Sequence, residues 1–535
     1  MTLGDTAAEK KLDDENERAG TGAAEGERSG GDDATRTAGR GGIAVAFAKM
    51  YFILNGLVQQ IALPRVMGLD GYGAWSTVNS IASITYNPVV SMSIQGVSRA
   101  VAATPGNEQA AALRRVLRVH ALFAVLLGSA FWVFAPVITE SAGAPHVTLG
   151  LRVLSACMVL YGLYAPLIGA LNGQKRFMVQ AGFDILAATM RTIGLVAGAH
   201  YLASQGLAVE GAASGFVFGL ALVFVVALVV VGVGREGAGG PSVRQHLTFV
   251  LPVLAGHVLL NLLLQADLTL LRRFSADAAV ASGLPLTAAD PLVGAYRATQ
   301  LFSFLPYQLL IAVNFILFPM LATAVRDQDK AAIARYVATG VRIALIVAGL
   351  MVSVTAGLAT PLLRLVYGAQ AAELGGRSLQ LLAVGFGAFA IFGVLTTVLN
   401  SLKRERAGAL VTGFAAALVI ALCFARVRGT EFGERLLFRT AIATSTAIAV
   451  ATTGAAILVY RTAGAVAAPL TLARVLVAAF VAVVLGRFLP SAGPVATLAC
   501  AVAVVVVYVG VLVASRELGS ADVATVRAVI ARRRK

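Results

Sequence analysis

The chain has 535 residues, of which 58% are hydrophobic and only 13% are charged, and its mean hydropathy is +0.81. Soluble globular proteins of this size do not have such a composition. Runs such as 216–233 and 496–513 are long enough to lie within a bilayer. The composition therefore predicts a polytopic membrane protein and excludes a soluble enzyme, a disulfide-rich scaffold and a disordered chain.

The formal charge of +16 is distributed unevenly along the chain. Residues 1–40 carry ten acidic and six basic side chains and almost no large apolar ones, so we predict a disordered tail that cannot form a core. The basic excess of the remaining chain lies mostly in short loops between apolar segments, where Lys and Arg orient helices against the membrane. The charge therefore gives no reason to expect a nucleic-acid partner.

Fourteen apolar segments approach or exceed the length of about 20 residues that crosses the hydrocarbon core. Each is expected to be a helix, because an unpaired backbone amide in lipid costs several kcal/mol. In chain order the predicted spans are 42–64, 72–98, 115–137, 149–171, 178–203, 211–233, 247–270, 292–322, 335–357, 378–400, 407–425, 440–460, 465–489 and 495–514.

Basic residues in the loops predict the orientation of the first half. With the N-terminal tail inside, eight basic residues lie in cytoplasmic loops and only Arg65 lies outside. In the second half the two sides carry seven and nine basic residues, so the orientation there rests on the even number of spans. We expect both termini to be cytoplasmic.

The sequence contains an internal duplication. At an offset of 221 residues, the tripeptide at 73–75 (GAW) aligns with 294–296 (GAY), and at an offset of 228 the loop 171–176 (LNGQKR) aligns with 399–404 (LNSLKR). Six helices per unit is an even number, so the two units share one orientation and are related by an axis along the membrane normal. Two such lobes around a central cavity are the architecture of a secondary transporter that works by alternating access.

The duplication divides the predicted all-α membrane protein into units. We expect a cytoplasmic tail, an N-lobe of helices 1–6, a C-lobe of helices 7–12, two further helices, and a basic cytoplasmic tail, at 1–40, 41–235, 245–460, 461–515 and 516–535 respectively.

Polar side chains inside the first predicted helix mark a candidate binding site. Charged groups at mid-bilayer cost about 2.5–3.5 kcal/mol, so they usually face a cavity or a partner. Lys49 and Gln60 are eleven residues apart and return to nearly the same helix face. Asn55 and Gln59 lie on an adjacent stripe.

The seventh helix carries a similar polar ladder. His257, Asn261 and Gln265 follow one another at a spacing of four residues. At an offset of 206, Asn55 and Gln59 of the first helix align with Asn261 and Gln265. The equivalent helices of the two lobes therefore both present amides, which either bind a ligand or hydrogen-bond the helices to one another.

Two further arginines are candidates for binding an anion. Asp184 and Arg191 lie on one face of the fifth helix, two turns and about 10 Å apart. We expect Arg191 to neutralise a phosphate and Asp184 to hold it when the site is empty, unless the two form an ion pair without a ligand role. Arg297, one turn into the eighth helix, reaches either the cavity mouth or the outer lipid head groups.

Several segments resemble landmarks of a known family. The stretch 63–73 (LPRVMGLDGYG) resembles the segment near the start of polysaccharide and lipid-linked-oligosaccharide flippases of the Wzx type, and the loop 171–176, the run 318–321 and the segment 361–368 resemble later landmarks. The resemblance covers about residues 41–460, and the two extra helices are similar to those of the lipid II flippase branch. It implies a bacterial inner-membrane carrier whose lumen receives an anionic head group.

We therefore expect a flippase for an undecaprenyl-pyrophosphate-linked oligosaccharide in the assembly of a cell-surface polysaccharide. Lys49, Arg191 and Arg297 would attract the pyrophosphate. Amides would hydrogen-bond to sugar hydroxyls, namely Asn55, Gln59, Asn261 and Gln265. The expected partners are the bilayer, the polyprenyl-linked glycan, glycosyltransferases and a polysaccharide polymerase.

Three alternatives remain. A cation-coupled multidrug antiporter needs acidic groups in its cavity, and the acids within the helices are essentially Asp184 and Asp267. The lipid II flippase branch has several arginines in its first two helices, where this chain has Lys49 alone. A membrane glycosyltransferase or polymerase needs a large acidic loop. The sequence has no phosphate-binding loop and no metal-ligand cluster, so we expect no cofactor and leave the coupling ion, H⁺ or Na⁺, open.

Overall fold

The computed structural model describes residues 5–237, 239–490 and 493–519, and the side chains before residue 44 lie outside this description. Of the tail 1–40 the structure describes only the backbone from residue 5, so its disorder stays a prediction, and most of the predicted basic tail, 516–535, lies outside the described residues. The described residues form fifteen α-helices and three short 3₁₀-helices, with no strand among them. This confirms the prediction of an all-α protein.

The helices follow one another through short turns. In chain order they are α1 (Asp5–Ala102), α2 (Gln109–Ser141), α3 (Thr148–Gly173), α4 (Phe177–Ala203), α5 (Ala208–Val231), α6 (Val243–Ala281), α7 (Asp290–Ser303), α8 (Leu305–Arg326), α9 (Lys330–Gly357), α10 (Ala359–Tyr367), α11 (Ala369–Ser401), α12 (Glu405–Arg426), α13 (Glu434–Ala463), α14 (Pro469–Phe488) and α15 (Pro494–Ala514).

Twelve helices of the described chain are long and apolar enough to cross a membrane, and the chain is a multi-pass membrane protein. The fourteen predicted spans differ from these twelve at two places. The first two predicted spans form the two arms of α1, which is kinked at Gly68 (φ 70°, ψ 177°), a left-handed conformation that glycine adopts without steric cost. The predicted span 292–322 is instead divided between α7 and α8 at Phe304, because Pro306 cannot continue the hydrogen-bonding of the preceding helix.

Buried apolar side chains form two large clusters that correspond to the two halves of the chain. One cluster is built from α1 to α5 and the other from α6 to α15. In the first, α4 packs very closely on α5, because an added Cβ at Gly194 would lie 2.1 Å from the backbone oxygen of Gly215. Small residues permit this approach of two helices in a membrane, and it fixes the position of the helix that carries Asp184 and Arg191.

The duplicated loops adopt the same backbone conformation. Lys175 follows α3 with φ 60°, and Lys403 follows α11 with φ 59°. Left-handed residues other than glycine are uncommon. Their occurrence at positions that align in the two repeats shows that the aligned loops fold alike.

The two repeats meet at a pair of equivalent glycines, Gly73 of α1 and Gly294 of α7. An added Cβ at Gly73 would lie 1.8 Å from the backbone oxygen of Asp290, and one at Gly294 would lie 2.4 Å from that of Leu69. Nearby, His146 Nε2 lies 3.0 Å from Asp290 Oδ2. Backbone contact and the polar contact between His146 and Asp290 therefore join the lobes at the membrane face where α1 is kinked.

The last two helices pack against α9 and are held by a buried acid that follows α15. Glu517 is only 5% exposed, and its Oε1 lies 2.8 Å from Arg342 Nε while its Oε2 lies 3.2 Å from Arg474. Burial alone would raise the pKa of Glu517, but hydrogen bonds from Arg342, Arg474 and Thr471 outweigh it and hold this pKa below its usual value. The acid thus ties α9 to α14.

The parallel relation of the repeats is tested by cysteine accessibility. Single cysteines at Arg176 and Arg404, which align in the two repeats, should be labelled by a membrane-impermeant reagent from one side of the membrane. A cysteine at Glu140, at the other end of α2, should be labelled from the opposite side. The three native cysteines are buried and can be replaced to remove background. Labelling of positions 176 and 404 from opposite sides would rule out the parallel repeat.

Candidate functional site

A cavity of about 540 Å³ lies between the two halves of the molecule. Both arms of α1 and the middle of α4 line it from the first half, and α6, α7, α8 and α11 line it from the second. Its lining contains three basic side chains, Lys49, Arg191 and Arg297, and no acidic side chain from the described part of the chain. Positive charge is therefore the main electrostatic property of this cavity.

Five of the ten predicted site residues line the cavity, namely Lys49, Gln60, Arg191, Gln265 and Arg297. The other five do not belong to its lining and lie around it: Asn55, Gln59, Asp184, His257 and Asn261. The structure therefore brings the basic residues of helices from both lobes together, as the sequence predicts, but separates the amides into two groups.

Each basic side chain of the cavity has a different environment. Lys49 Nζ lies 3.0 Å from Asp184 Oδ2. The guanidinium of Arg191 lies 4.8 Å from the centre of the Phe216 ring, a cation–π distance, and its buried Nε has no hydrogen-bond partner. Arg297 donates a hydrogen bond of 3.1 Å to Gln300 Oε1.

The fifth predicted helix is α4 of the structure, and the expected pairing of Asp184 with Arg191 on this helix is wrong. Asp184 contacts Lys49 of α1 rather than Arg191, because a carboxylate two helical turns away cannot reach the arginine, whereas α1 packs directly beside α4. Among the described residues, no carboxylate lies within salt-bridge distance of Arg191 or Arg297. Two guanidinium groups, one from each lobe, thus remain without a counter-charge at the cavity.

The predicted amides outside the lining make contacts within and between helices. Asn87, which lines the cavity, donates a hydrogen bond of 3.0 Å to Asn261, so Asn261 supports a lining residue. His257 Nδ1 lies 2.9 Å from the backbone oxygen of Val253 in the same helix. Asn55 donates to the backbone oxygen of Tyr51, and Gln59 is only 6% exposed. Only the bond between Asn87 and Asn261 joins two helices, whereas the contacts of Asn55 and His257 lie within one helix.

The amides that do line the cavity retain groups for a ligand. The buried Oε1 of Gln265 has no hydrogen-bond partner within the described structure. Gln60 accepts a hydrogen bond from the Tyr72 hydroxyl, which leaves its amide nitrogen available as a donor. A buried polar atom without a partner is costly, so the free oxygen of Gln265 indicates that a ligand or water hydrogen-bonds there.

The sequence-based prediction missed further polar residues of the lining. Asn79, Ser83 and Asn87 follow one another at a spacing of four along the second arm of α1, and Gln300 and Gln308 line the opposite wall. The signal was present in the duplication, because the offset of 221 aligns position 79 with 300 and position 87 with 308. The two lobes therefore present equivalent amides to one cavity.

Aromatic rings complete the wall. Phe52, Tyr86, Phe304 and Phe386 line the cavity. The Tyr86 hydroxyl donates a hydrogen bond of 2.9 Å to Asn79 Oδ1, and Phe304 packs edge-on against Phe386 with ring centres 5.7 Å apart. Ligand sites commonly combine such apolar rings with a few oriented polar groups.

The second acid within the helices, Asp267, lies behind the cavity rather than in it. It is 1% exposed and accepts hydrogen bonds from Tyr296 (2.8 Å), Gln300 (3.1 Å) and Thr444 (3.2 Å). Because Asp184 is paired with Lys49 and Asp267 is satisfied by neutral donors, neither acid is directed toward a cationic ligand in the cavity.

Comparisons with known proteins agree with this architecture. The profile of a family described as "Polysaccharide biosynthesis protein" matches residues 62–374, which is more than half of the chain. No curated protein sequence matches the chain. Among solved structures, the lipid II flippase MurJ in an inward closed conformation is similar with a TM-score of 0.69 and 15% identity, over 89% of this chain and 99% of MurJ.

Two transporter structures are also similar. An inward-facing multidrug resistance MATE family transporter of the MOP superfamily has a TM-score of 0.63 and 16% identity, over 78% of this chain and 98% of that one. A MOP superfamily transporter from Pyrococcus furiosus has a TM-score of 0.55 and 14% identity, over 80% and 95%. At these identities the likeness shows that the chain has their fold.

Replacing a structural arginine should destabilise the protein, whereas replacing a ligand-binding arginine should not. Arg272 and Arg191 allow this comparison. Arg272 is 0% exposed, donates to the backbone oxygen of Leu286, and lies 3.5 Å from the buried Asp290. We expect Arg272→Gln to destabilise the protein by up to about 3–5 kcal/mol, because the buried Asp290 then keeps only His146 as a partner. Arg191→Gln removes a charge that has no counter-charge and should leave stability unchanged or raise it.

The measurement is the thermal unfolding midpoint of each purified variant in detergent. A fall in the midpoint for Arg191→Gln as large as that for Arg272→Gln would show that Arg191 has a structural role rather than a ligand-binding one.

Proposed function

We propose, since the chain belongs to the polysaccharide biosynthesis protein family, that it moves a polyprenyl-pyrophosphate-linked oligosaccharide across the bacterial inner membrane by alternating access. Family membership confirms the resemblance to Wzx-type flippases that the landmark segments indicate. The observation that carries the proposal is the cavity between the lobes, in which Arg191 and Arg297 have no counter-charge among the described residues.

Electrostatics favours an anionic ligand in this cavity. A charged side chain within the membrane costs about 2.5–3.5 kcal/mol on insertion scales. Two unit charges about 4 Å apart gain about 4 kcal/mol where the effective dielectric constant is about 20. A pyrophosphate therefore offsets much of the cost of holding two guanidinium groups there. Guanidinium is also the group whose paired N–H donors match phosphate oxygens best.

The two arginines come from different lobes, which links binding to movement. Arg191 lies on α4 and Arg297 on α7. An anion held between them contacts both lobes only when these are close together, so it favours one arrangement of the lobes over another. Binding of the head group can thereby bias the equilibrium between the states that open to the two sides of the membrane.

The remaining lining suits the other parts of the substrate. Lys49 can add a third positive charge when the ligand displaces Asp184 from it. Gln60, Gln265 and the amides of α1 and α7 provide hydrogen bonds for sugar hydroxyls, and the aromatic rings provide apolar surface. The polyprenyl chain remains in the bilayer while the head group passes between the lobes.

In this proposal the protein is a transporter and not an enzyme. Glycosyltransferases at the cytoplasmic face supply the lipid-linked glycan, a polymerase outside consumes it, and both termini of the transporter are cytoplasmic. The sequence has no ATP-binding motif, so the energy comes from consumption of the product, from an ion gradient or from the membrane potential. The coupling ion, H⁺ or Na⁺, stays open.

The multidrug antiporter is less well supported by the geometry. A cationic drug would meet three basic side chains and no acidic one among the described residues of the cavity lining. Like charges in a cavity of low dielectric repel strongly. The fold that the chain shares with MATE transporters therefore does not carry over to their ligand.

The proposal predicts that the basic residues of the cavity are needed for export. The double variant Lys49→Gln/Arg191→Gln should stop export and accumulate the lipid-linked glycan on the cytoplasmic leaflet, because the pyrophosphate loses two of its three cations. The measurement is surface glycan together with extraction of the lipid-linked precursor. Sensitivity to cationic dyes should not change.

Arg152→Gln is the matched control for this experiment. Arg152 lies 5.8 Å from the ring centre of Trp132 and does not line the cavity, so its variant should export normally. Normal export by the double variant would refute the anionic ligand, and new sensitivity to dyes would support the antiporter.

The duplicated glutamines give a second, internally matched test. Gln59 and Gln265 align in the two repeats, but only Gln265 lines the cavity. Gln265→Leu should abolish surface glycan at normal protein abundance, because a sugar hydroxyl or bound water loses its partner. Gln59→Leu should have a smaller effect on export. Equal loss of export in both variants, or loss of the folded Gln265→Leu protein from the membrane, would indicate that both amides only join helices.

A further inference from the structure

Two buried histidines face each other across the lobes at the end of the molecule opposite the paired glycines. His120 of α2 and His246 of α6 are 2% and 3% exposed. Their Nε2 atoms are 3.0 Å apart, and the rings meet edge-on with centres 5.2 Å apart. His120 Nδ1 lies 3.0 Å from the Ser93 hydroxyl. Ser93 is twenty residues beyond Gly73 on the same arm of α1, which is about 30 Å of helix.

This contact brings the two lobes together closely. Next to it, an added Cβ at Gly96 of α1 would lie 2.3 Å from Val250 and 3.3 Å from the His246 ring. On the other side of His120, Gly162 of α3 packs against Ala124. Ser93, His120 and His246 therefore form a chain of hydrogen bonds from α1 through α2 to α6, beside glycines at which the helices pack closely.

The bond between the rings depends on the number of protons. At 3.0 Å one Nε2 donates its hydrogen and the other accepts it, so the accepting ring is neutral. One more proton places an N–H on both facing atoms, removes the acceptor and makes the formerly accepting ring cationic. Two N–H groups that point at each other repel, so the contact between α2 and α6 can no longer form.

Solvent can reach the histidine pair, and charged side chains lie near it. A cavity of about 670 Å³ reaches His246 from the adjoining surface and contains Arg99 of α1, Glu108 before α2 and Arg244 of α6. On α2, Arg118 is paired with Glu236, and Arg115 donates to the backbone of the loop before α6. The charges around the pair are therefore mostly basic, with Glu108 and Glu236 as the acids, and they do not offset a positive charge on the rings.

We propose that His120 and His246 form a proton-binding site that latches the two lobes at this face, which is the cytoplasmic face in the orientation given above. The latch is closed while only one of the two facing Nε2 atoms carries a proton. It opens when both Nε2 atoms are protonated, with the added proton coming from the cytoplasmic side. This inference rests on the proposed function for the movement of the lobes, and it adds a proton-dependent step to that movement.

The test measures the distance between the lobes directly. Spin labels are attached to cysteines at Arg176 and Arg404, one on each lobe at this face, in protein without native cysteines reconstituted in lipid. The distance distribution is recorded by pulsed electron paramagnetic resonance at about pH 7.5 and about pH 5.5, which bracket the ordinary titration range of imidazole. In the unaltered pair, acidification should shift the population toward the longer distance.

His246→Gln is the decisive variant, because the glutamine amide can replace Nε2 in the hydrogen bond but does not titrate between about pH 5.5 and about pH 7.5. His246→Gln should keep the short distance at both pH values. His200→Gln alters an exposed histidine at the end of α4 and should retain the pH-dependent shift. The same shift in His246→Gln as in the unaltered protein, or no shift in the unaltered protein, overturns the latch.

The same distance measurement with added lipid-linked glycan distinguishes failure of the latch from failure of the proposed function. A distance that changes with the glycan but not with pH contradicts the latch and leaves transport in place. A pH-dependent distance that is lost in His246→Gln supports the latch even where the glycan causes no change, and in that case the choice of substrate is what fails.

Discussion

The rest of the structure depends on positive charge held between two lobes inside the membrane without an opposite charge beside it. Arg191 and Arg297 reach the same cavity from α4 and α7, and no described carboxylate pairs with either. Such an arrangement is stable only where water or an anionic ligand replaces the missing counter-charge. The aromatic ring of Phe216 beneath Arg191 orients its guanidinium without neutralising it. The surrounding fold can be understood as a support for this pair of charges.

The support is built by close helix packing. Gly194 and Gly215 hold α4 against α5, and Gly73 and Gly294 bring α1 and α7 into backbone contact. The other acids near the cavity are kept from the arginines, because Asp184 is held by Lys49 and Asp267 by neutral hydrogen-bond donors. The contacts between the lobes lie at both ends of the cavity, at Gly73 on one face and at His120 on the other. In the proposed function these two contacts open in turn.

Much of the architecture could be predicted from the sequence because it rests on composition and repetition. Hydropathy located the spans, and the offset of 221 residues predicted two equivalent lobes before any contact was known. The break at Phe304 was missed because the apolar pattern continues through Pro306. The kink at Gly68 was expected as a turn between two helices, and the structure shows a single bent helix. Apolar periodicity reports burial in lipid and is insensitive to such local changes in direction.

The site was predicted less completely, for a physical reason. Polarity within a span identifies residues that avoid lipid, but a cavity and a helix interface both satisfy that condition. Gln59 and Gln265 are equivalent in sequence, and only the packing of the helices places one of them in the cavity. The partner of Asp184 likewise depends on the position of α1 beside α4. The amides at 79, 87, 300 and 308 could have been found by applying the repeat offset to every polar residue.

We propose that the charge of the head group selects the substrate, and transport in liposomes can measure this selection. The purified protein is reconstituted with a fluorescent polyprenyl-linked oligosaccharide in two forms, one joined through a pyrophosphate and one joined through a neutral glycosidic bond. An impermeant quencher measures the rate at which each form crosses the membrane. We expect rapid transfer of the pyrophosphate form and little transfer of the neutral form. Equal transfer of the two forms would contradict this proposal.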